Sequence, residues 1–173
     1  MILRYVKLGM NDRILDSEME DQQSSSGVRN ASKIRRILFW GSIAIYLLAL
    51  TQKTYCVDGD CGDDFSGLAN LLMGGLALLF VQDAVSLIWL ANPLFWVAWL
   101  SFRRNATLSL ICIILGLSIS LCFLFFDEIL INEAGHYGQI TGYATGYWLW
   151  VLSFVLLLVA VLIPKENKVA VST

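Results

Sequence analysis

Ala84–Arg104, AVSLIWLANPLFWVAWLSFRR, holds 19 uncharged residues followed at once by Arg103 and Arg104. An apolar run of that length reaches across a hydrocarbon core as a helix. The arginine pair orients it, because positive charge is retained on the cytoplasmic side. Trp89, Asn92, Trp96, Trp99 and Arg103 recur at steps of three and four, which places them in one stripe down a helix face. Pro93 lacks a backbone donor and frees a carbonyl one turn back, so a bend is expected near Trp89. Asn92 in mid-membrane needs a partner on another helix. A polar tie with aromatic packing is the reading adopted for the stripe; a substrate-lining role is the competing one.

Composition and charge agree with a membrane setting. Of the residues, 57% are apolar, mean hydropathy is +0.67, and the excess is gathered in blocks. Of 12 basic residues, seven precede the first apolar block, two follow Phe102, two lie in the tail, and only Lys53 lies elsewhere. Asp58, Asp60, Asp63, Asp64, Asp127, Glu128 and Glu133 gather in the two remaining loops. An even number of spans then puts nearly all the basic residues on the cytoplasmic side. No basic patch is interleaved with aromatics, so nucleic acid is not an expected partner.

In chain order, Met1–Ser32 has no apolar core leading to a cleavage site and carries acids, unlike a signal peptide. It reads as a partly disordered cytoplasmic segment, with Asn11 capping a short helix and Gln22–Gly27 a linker. The first span covers about 34–52, with Arg35 and Arg36 reaching to the headgroups. Cys56 and Cys61 flank Val-Asp-Gly-Asp, a tight turn that brings their side chains together. On the non-cytoplasmic face a structural disulfide is expected, in preference to a redox pair. The neighbouring aspartates read as a solvated hairpin, not a calcium loop, since the spacing lacks the distal glutamate.

Gly67–Phe102 would be about 54 Å as one helix, too long for a single crossing. Two crossings would put Arg103 and Arg104 outside, against the charge rule. A helix over about 67–81, lying in or dipping into the outer leaflet and turning at Gln82-Asp83, satisfies both constraints. The second span is then 84–102 and the third 106–126, starting at an Asn105 cap. Cys112, Gly116 and Ser120 repeat every four residues as a small-residue face, and Cys112 and Cys122 read as apolar fillers. His136 with Glu133 and Tyr137 falls short of the ligands a zinc site requires. The last span covers 143–163; Gly138, Gly142 and Gly146 again repeat at four, Tyr143 and Tyr147 suit an outer interface belt, and Pro164 stops the helix. The membrane domain is 33–164 and residues 165–173 are a cytoplasmic tail. The fold class expected is all-α, a four-helix integral membrane bundle with one extra interfacial or re-entrant helix.

Trp89-Leu90-Ala91-Asn92-Pro93-Leu94 running to a basic turn, and Gly142–Trp150 opening the last span, resemble a loosely defined group of small bacterial inner-membrane proteins of unknown function. The similarity covers about Ile37 to Ile163. It implies four spans with both ends in the cytoplasm and supports the outer-leaflet helix; it implies no activity. Met1–Ser32 departs from that pattern.

No catalytic, metal or cofactor set emerges. The function expected is a non-enzymatic accessory or inhibitory binding protein of the bacterial cytoplasmic membrane, meeting the lipid bilayer and either another membrane protein or its own copies. An immunity protein against a pore-forming toxin is one version, resting on architecture alone. A small transporter or oligomeric channel is the alternative, with Asn92 and Pro93 as its only intramembrane marks. A thiol–disulfide oxidoreductase using Cys56 and Cys61 is a third.

Overall fold

The computed structural model describes residues 29–62, 65–80, 84–130 and 136–164. The Asn11 helix, the Gln22–Gly27 linker, Asp63 and Asp64, the Gln82-Asp83 turn, Glu133, Lys165 and Lys168 lie outside these residues.

The chain is mostly helical. Residues 29–50 form α1, followed by β1 (Tyr55–Val57) and α2 (Gly67–Phe80). A 3-10 segment, Ser86–Leu90, leads into α3 (Ala91–Ser101). Helix α4 (Ala106–Cys122) continues as a 3-10 turn through Phe125; β2 (Glu128–Leu130), β3 (Tyr137–Tyr143) and α5 (Thr145–Leu162) follow. Among the described residues, Ala106–Phe125 and Thr145–Leu162 are the two helices long and apolar enough to cross a membrane. In α1 the uncharged stretch begins only at Ile37. Helix α2, at 14 residues, is about 21 Å long, well short of a hydrocarbon core.

The expectation of an all-α chain needs correcting. The two loops expected outside pair into a three-stranded antiparallel sheet, in the order β1-β3-β2. Asp58 (φ 50°) and Gly59 (φ 82°) give two successive left-handed residues, the backbone of a type I′ hairpin turn. Val57 and Asp60 exchange backbone hydrogen bonds across it at 2.8 Å each. The turn brings Cys56 and Cys61 within 4.3 Å at Cα, and they form a disulfide. Asp58 is not a free loop acid: its carboxylate accepts from the Gln139 amide at 3.0 Å and fastens the hairpin to β3. Gly138 and Gly142 therefore sit in β3 and not on a helix face; only Gly146 is helical. A Cβ at Gly146 would lie 2.6 Å from the Lys53 carbonyl, so this glycine lets α5 begin against the chain leaving α1.

Two apolar clusters hold the fold together. One joins α1, α3, α4 and α5 through Tyr46, Phe95, Phe102, Ile113, Phe154 and Leu157. The other joins the sheet to the ends of α4 and α5 through Tyr55, Val57, Phe123, Tyr147 and Val151. The repeat Cys112–Gly116–Ser120 is spent inside this body. All three are buried, and a Cβ at Gly116 would come within 2.7 Å of the Phe154 ring. Ser109 adds a polar tie, donating to the Ala98 carbonyl of α3 at 2.8 Å. The Asn105 side chain caps α4 as expected, accepting from the Leu108 amide at 3.0 Å.

Arg35 departs from the expected reach to the headgroups. Its guanidinium lies over the Phe102 ring at 4.2 Å and donates to the carbonyls of Ala160 (3.2 Å) and Phe102 (3.4 Å). Those carbonyls belong to the C-terminal ends of α5 and α3, where a cation is electrostatically favoured. Arg36 is exposed. Tyr147 also departs from the interface belt: it is buried, and its hydroxyl donates to the Ser120 carbonyl at 3.0 Å.

Candidate binding cavity

The geometry of the site starts at Pro93. Lacking an N–H, it leaves the Trp89 carbonyl without its usual helical donor. The chain meets this locally, because the Asn92 side-chain amide donates to that carbonyl at 3.2 Å. Ser86–Leu90 winds as 3-10 and the α-helix begins at Ala91, so the expected break near Trp89 is a change of helix type.

With its amide nitrogen so engaged, the Asn92 oxygen faces the neighbouring helices. It accepts from the Tyr46 hydroxyl of α1 (3.1 Å) and the Trp150 indole of α5 (3.0 Å). The Trp96 indole in turn donates to the Tyr46 hydroxyl at 3.2 Å. One amide thus ties three helices and mends a proline defect, and each member of the network uses its partner's complementary group. In a low-dielectric surround such saturation removes the desolvation cost of every member.

Trp89 looks the other way. Its indole N–H donates to the Leu71 carbonyl of α2 at 2.7 Å, and its ring lies across Gly74 and Gly75. A Cβ on Gly74 would stand 2.8 Å from the ring, so the glycine pair is a seat cut to an indole. At the start of α2, Gly67 sits against α1, where a Cβ would be 2.8 Å from the Leu50 Cα. Ser66 caps this helix, its hydroxyl accepting from the Ala69 amide at 3.3 Å. Helix α2 is thereby held at its first turn and at its middle.

Between these two points of contact lies a cavity of about 550 Å³, within the range of small-molecule sites. Its floor includes Asn92 and Trp150, one wall is α2, and its roof is formed from Tyr55, Phe65 and Ile129 at the sheet end. Among the described residues no charged side chain lines it. Its polar side chains are bonded to one another: the Tyr55 hydroxyl donates to Asn70 Oδ1 at 2.9 Å, and the Asn70 amide donates to Thr54 Oγ1. Burial pushes the Tyr55 hydroxyl up from its ordinary 10 to about 12, against the smaller pull of the Asn70 hydrogen bond.

The residues singled out in the sequence divide. Trp89 and Asn92 border the cavity, and Trp96 supports Asn92 through Tyr46. Trp99 belongs elsewhere: it packs near Phe39 and Phe95 at 6.3 and 6.1 Å, and its buried indole nitrogen has no hydrogen-bond partner among the described residues. Cys56–Cys61 lies outside the cavity wall, in the hairpin above it. The sequence reading missed Tyr46, Asn70 and Trp150 as functional neighbours. Tyr46 and Asn70, polar residues within otherwise apolar helices, were the available signals. Among the described residues no group of three or more His, Cys, Asp or Glu stands close enough to hold a metal. Comparison with protein-family models, with curated proteins and with solved structures finds no match to this chain.

Proposed function

We propose that the chain is a non-enzymatic binding protein of the bacterial cytoplasmic membrane, crossing four times with both ends in the cytoplasm, and serving as an accessory or inhibitory subunit of another membrane component. The cavity carries the binding part of this reading: it is preformed, lined by no charged side chain among the described residues, and bounded by side chains whose polar groups already have partners. Exposed apolar side chains support the membrane part. Ile37, Trp40 and Leu47 on α1, Leu100 on α3, Ile111 on α4 and Leu162 on α5 all face outward. The polar features gather at opposite ends, with Arg35, Arg103 and Arg104 at one and the disulfide hairpin at the other. Crossing by α3 with its 3-10 lead, and by α1 with its basic first turns, follows from that polarity and from the resemblance to small four-span proteins. Helix α2, too short to cross, lies in the outer leaflet in this reading.

A transporter needs polar groups free to exchange with a solute. Asn92 is engaged on both its oxygen and its nitrogen, which weighs for binding over transport. Purification of the full chain in mild detergent tests the proposal. A stoichiometric membrane partner is expected; a clean homo-oligomer that conducts ions in proteoliposomes, with flux lost in Asn92→Leu, would replace binding by transport. Topology is checked separately, in a Cys122→Ser background, by labelling a cysteine placed at the exposed Arg104, expected to react only from the cytoplasmic side.

A further inference from the structure

We propose that the cavity beneath the sheet receives one acyl chain of an outer-leaflet phospholipid, leaving the headgroup outside. This inference rests on the membrane reading above. Its observations are the cavity's mouth, its walls and its saturation. Met73 lines the cavity, yet is 63% exposed, so the hollow opens along α2 at that residue. Met73 lies on the outward face of α2 beside Leu72 and Leu76, which are 59% and 50% exposed. The opening therefore lies within an apolar surface and not among the polar loop residues of the sheet.

Charge selects the occupant. A phosphate, carboxylate or amine carried into this space would lose its hydration, and among the described residues no Asp, Glu, Lys, Arg or His lines the walls to supply a counter-charge. A polar neutral solute fares little better. The indoles of Trp89 and Trp150 and the Tyr55 hydroxyl are committed to Leu71, Asn92 and Asn70, so hydrogen bonds to a solute would have to displace these. A hydrocarbon chain asks for none of this. It has only apolar area to bury and no hydrogen bond to satisfy. The contacts of α2 with the body at Gly67 and Gly74 carry no side chain of their own, and the hydrogen bonds at Asn70 and Leu71 hold the helix in place without filling the space beside it.

Native mass spectrometry of the full chain, released from detergent after extensive washing, tests the proposal. The protein is reconstituted beforehand in vesicles of phosphatidylcholine and phosphatidylglycerol mixed equally. One phospholipid per chain is expected to survive, with the two headgroups retained within about twofold of each other, since the walls read no headgroup charge. Ala77→Trp, which fills the cavity from α2, should lower that occupancy about tenfold or more. Leu79→Trp, on the outward face of the same helix and away from the cavity, should leave it unchanged. If Ala77→Trp does not fold, Val85→Phe fills the same space from the opposite wall. Undiminished lipid in a folded filled variant, a strict demand for one headgroup, or a bound species without an acyl chain would each overturn the proposal. Failure of the membrane reading itself is seen independently, as labelling of the Arg104 position from both sides.

Discussion

At the end of the molecule that carries Arg35, Phe39 stacks on Phe102 at 4.4 Å and Tyr46 on Phe95 at 4.8 Å, while Phe95 meets Phe154 at 4.8 Å. At the sheet end, aromatic rings are equally plentiful, yet a space of about 550 Å³ stays open between them. The difference lies in what brings the helices together. Near Arg35 large side chains meet large side chains and fill the volume, as close-packed interiors do. Around α2 the close contacts are glycine against ring or backbone, at Gly67 and at Gly74–Gly75, together with hydrogen bonds at Asn70 and Leu71. A glycine contact brings two elements together at a point and fills nothing beside it. Adhesion and filling are separate properties: the Gly116 contact with Phe154 is surrounded by packed side chains, and the contacts at Gly74 and Gly75 border open space.

Volume is the most direct way to break the comparison. Gly116→Leu, in the filled half, drives a side chain into the Phe154 ring and should cost about 3 kcal/mol or prevent folding. Ala77→Leu, at the open end, should cost less than about 1 kcal/mol by the same argument. Unfolding in detergent titrations reads both; equal penalties would mean that the open half is packed after all. Next in size is Asn92→Leu, which removes the acceptor of Tyr46 and Trp150 together. A loss of about 2–3 kcal/mol is expected, accompanied by a shift of tryptophan emission as the Trp150 indole loses its partner.

Removing the disulfide, as Cys56→Ser with Cys61→Ser, should cost about 2 kcal/mol through the short loop it closes. Hydrogen exchange should rise in β1 and β3 while the amides around Phe95 keep their protection. Last is a pH effect that is absent at neutrality. Tyr55 is protonated in the fold up to about 12 and, unfolded, only up to its ordinary 10. Its contribution is therefore complete below pH 10 and is lost as pH rises from 10 to 12. Tyr55→Phe should flatten that alkaline loss, read as the unfolding midpoint against pH.

Much of the helical half was legible. Pro93, Asn92 and the Asn105 cap act through their own backbone neighbours or by a hydrogen-bonding need that any membrane helix must meet, so residue type alone announces them. The shortness of α2 followed from length against sidedness. The sheet was hidden by an arithmetic coincidence. Gly138, Gly142 and Gly146 are spaced by four, and four is an allowed step both for one face of a helix and for one face of a strand. Three-residue strands such as β1 and β2 are too short to show an alternation of their own. The destination of Arg35 was misread because its acceptors, the Ala160 and Phe102 carbonyls, are backbone atoms with no signature in side-chain chemistry. The cavity is a property of how α2 stands against α3 and α5, and no local pattern encodes a gap.

The pairing of β1 with β3 also dictates an order of assembly. Thr141 and its acceptor, the Cys56 carbonyl, are 85 residues apart, and three helices must be made and placed between them. The Cys56–Cys61 hairpin needs only its own turn, so it closes early and waits as an unpaired edge. The strand that covers it emerges just before α5. A nascent chain halted before β3 would therefore hold a hairpin whose β1 edge is still unpaired. Arrival of β3 converts that edge, late and in one step, into a paired strand.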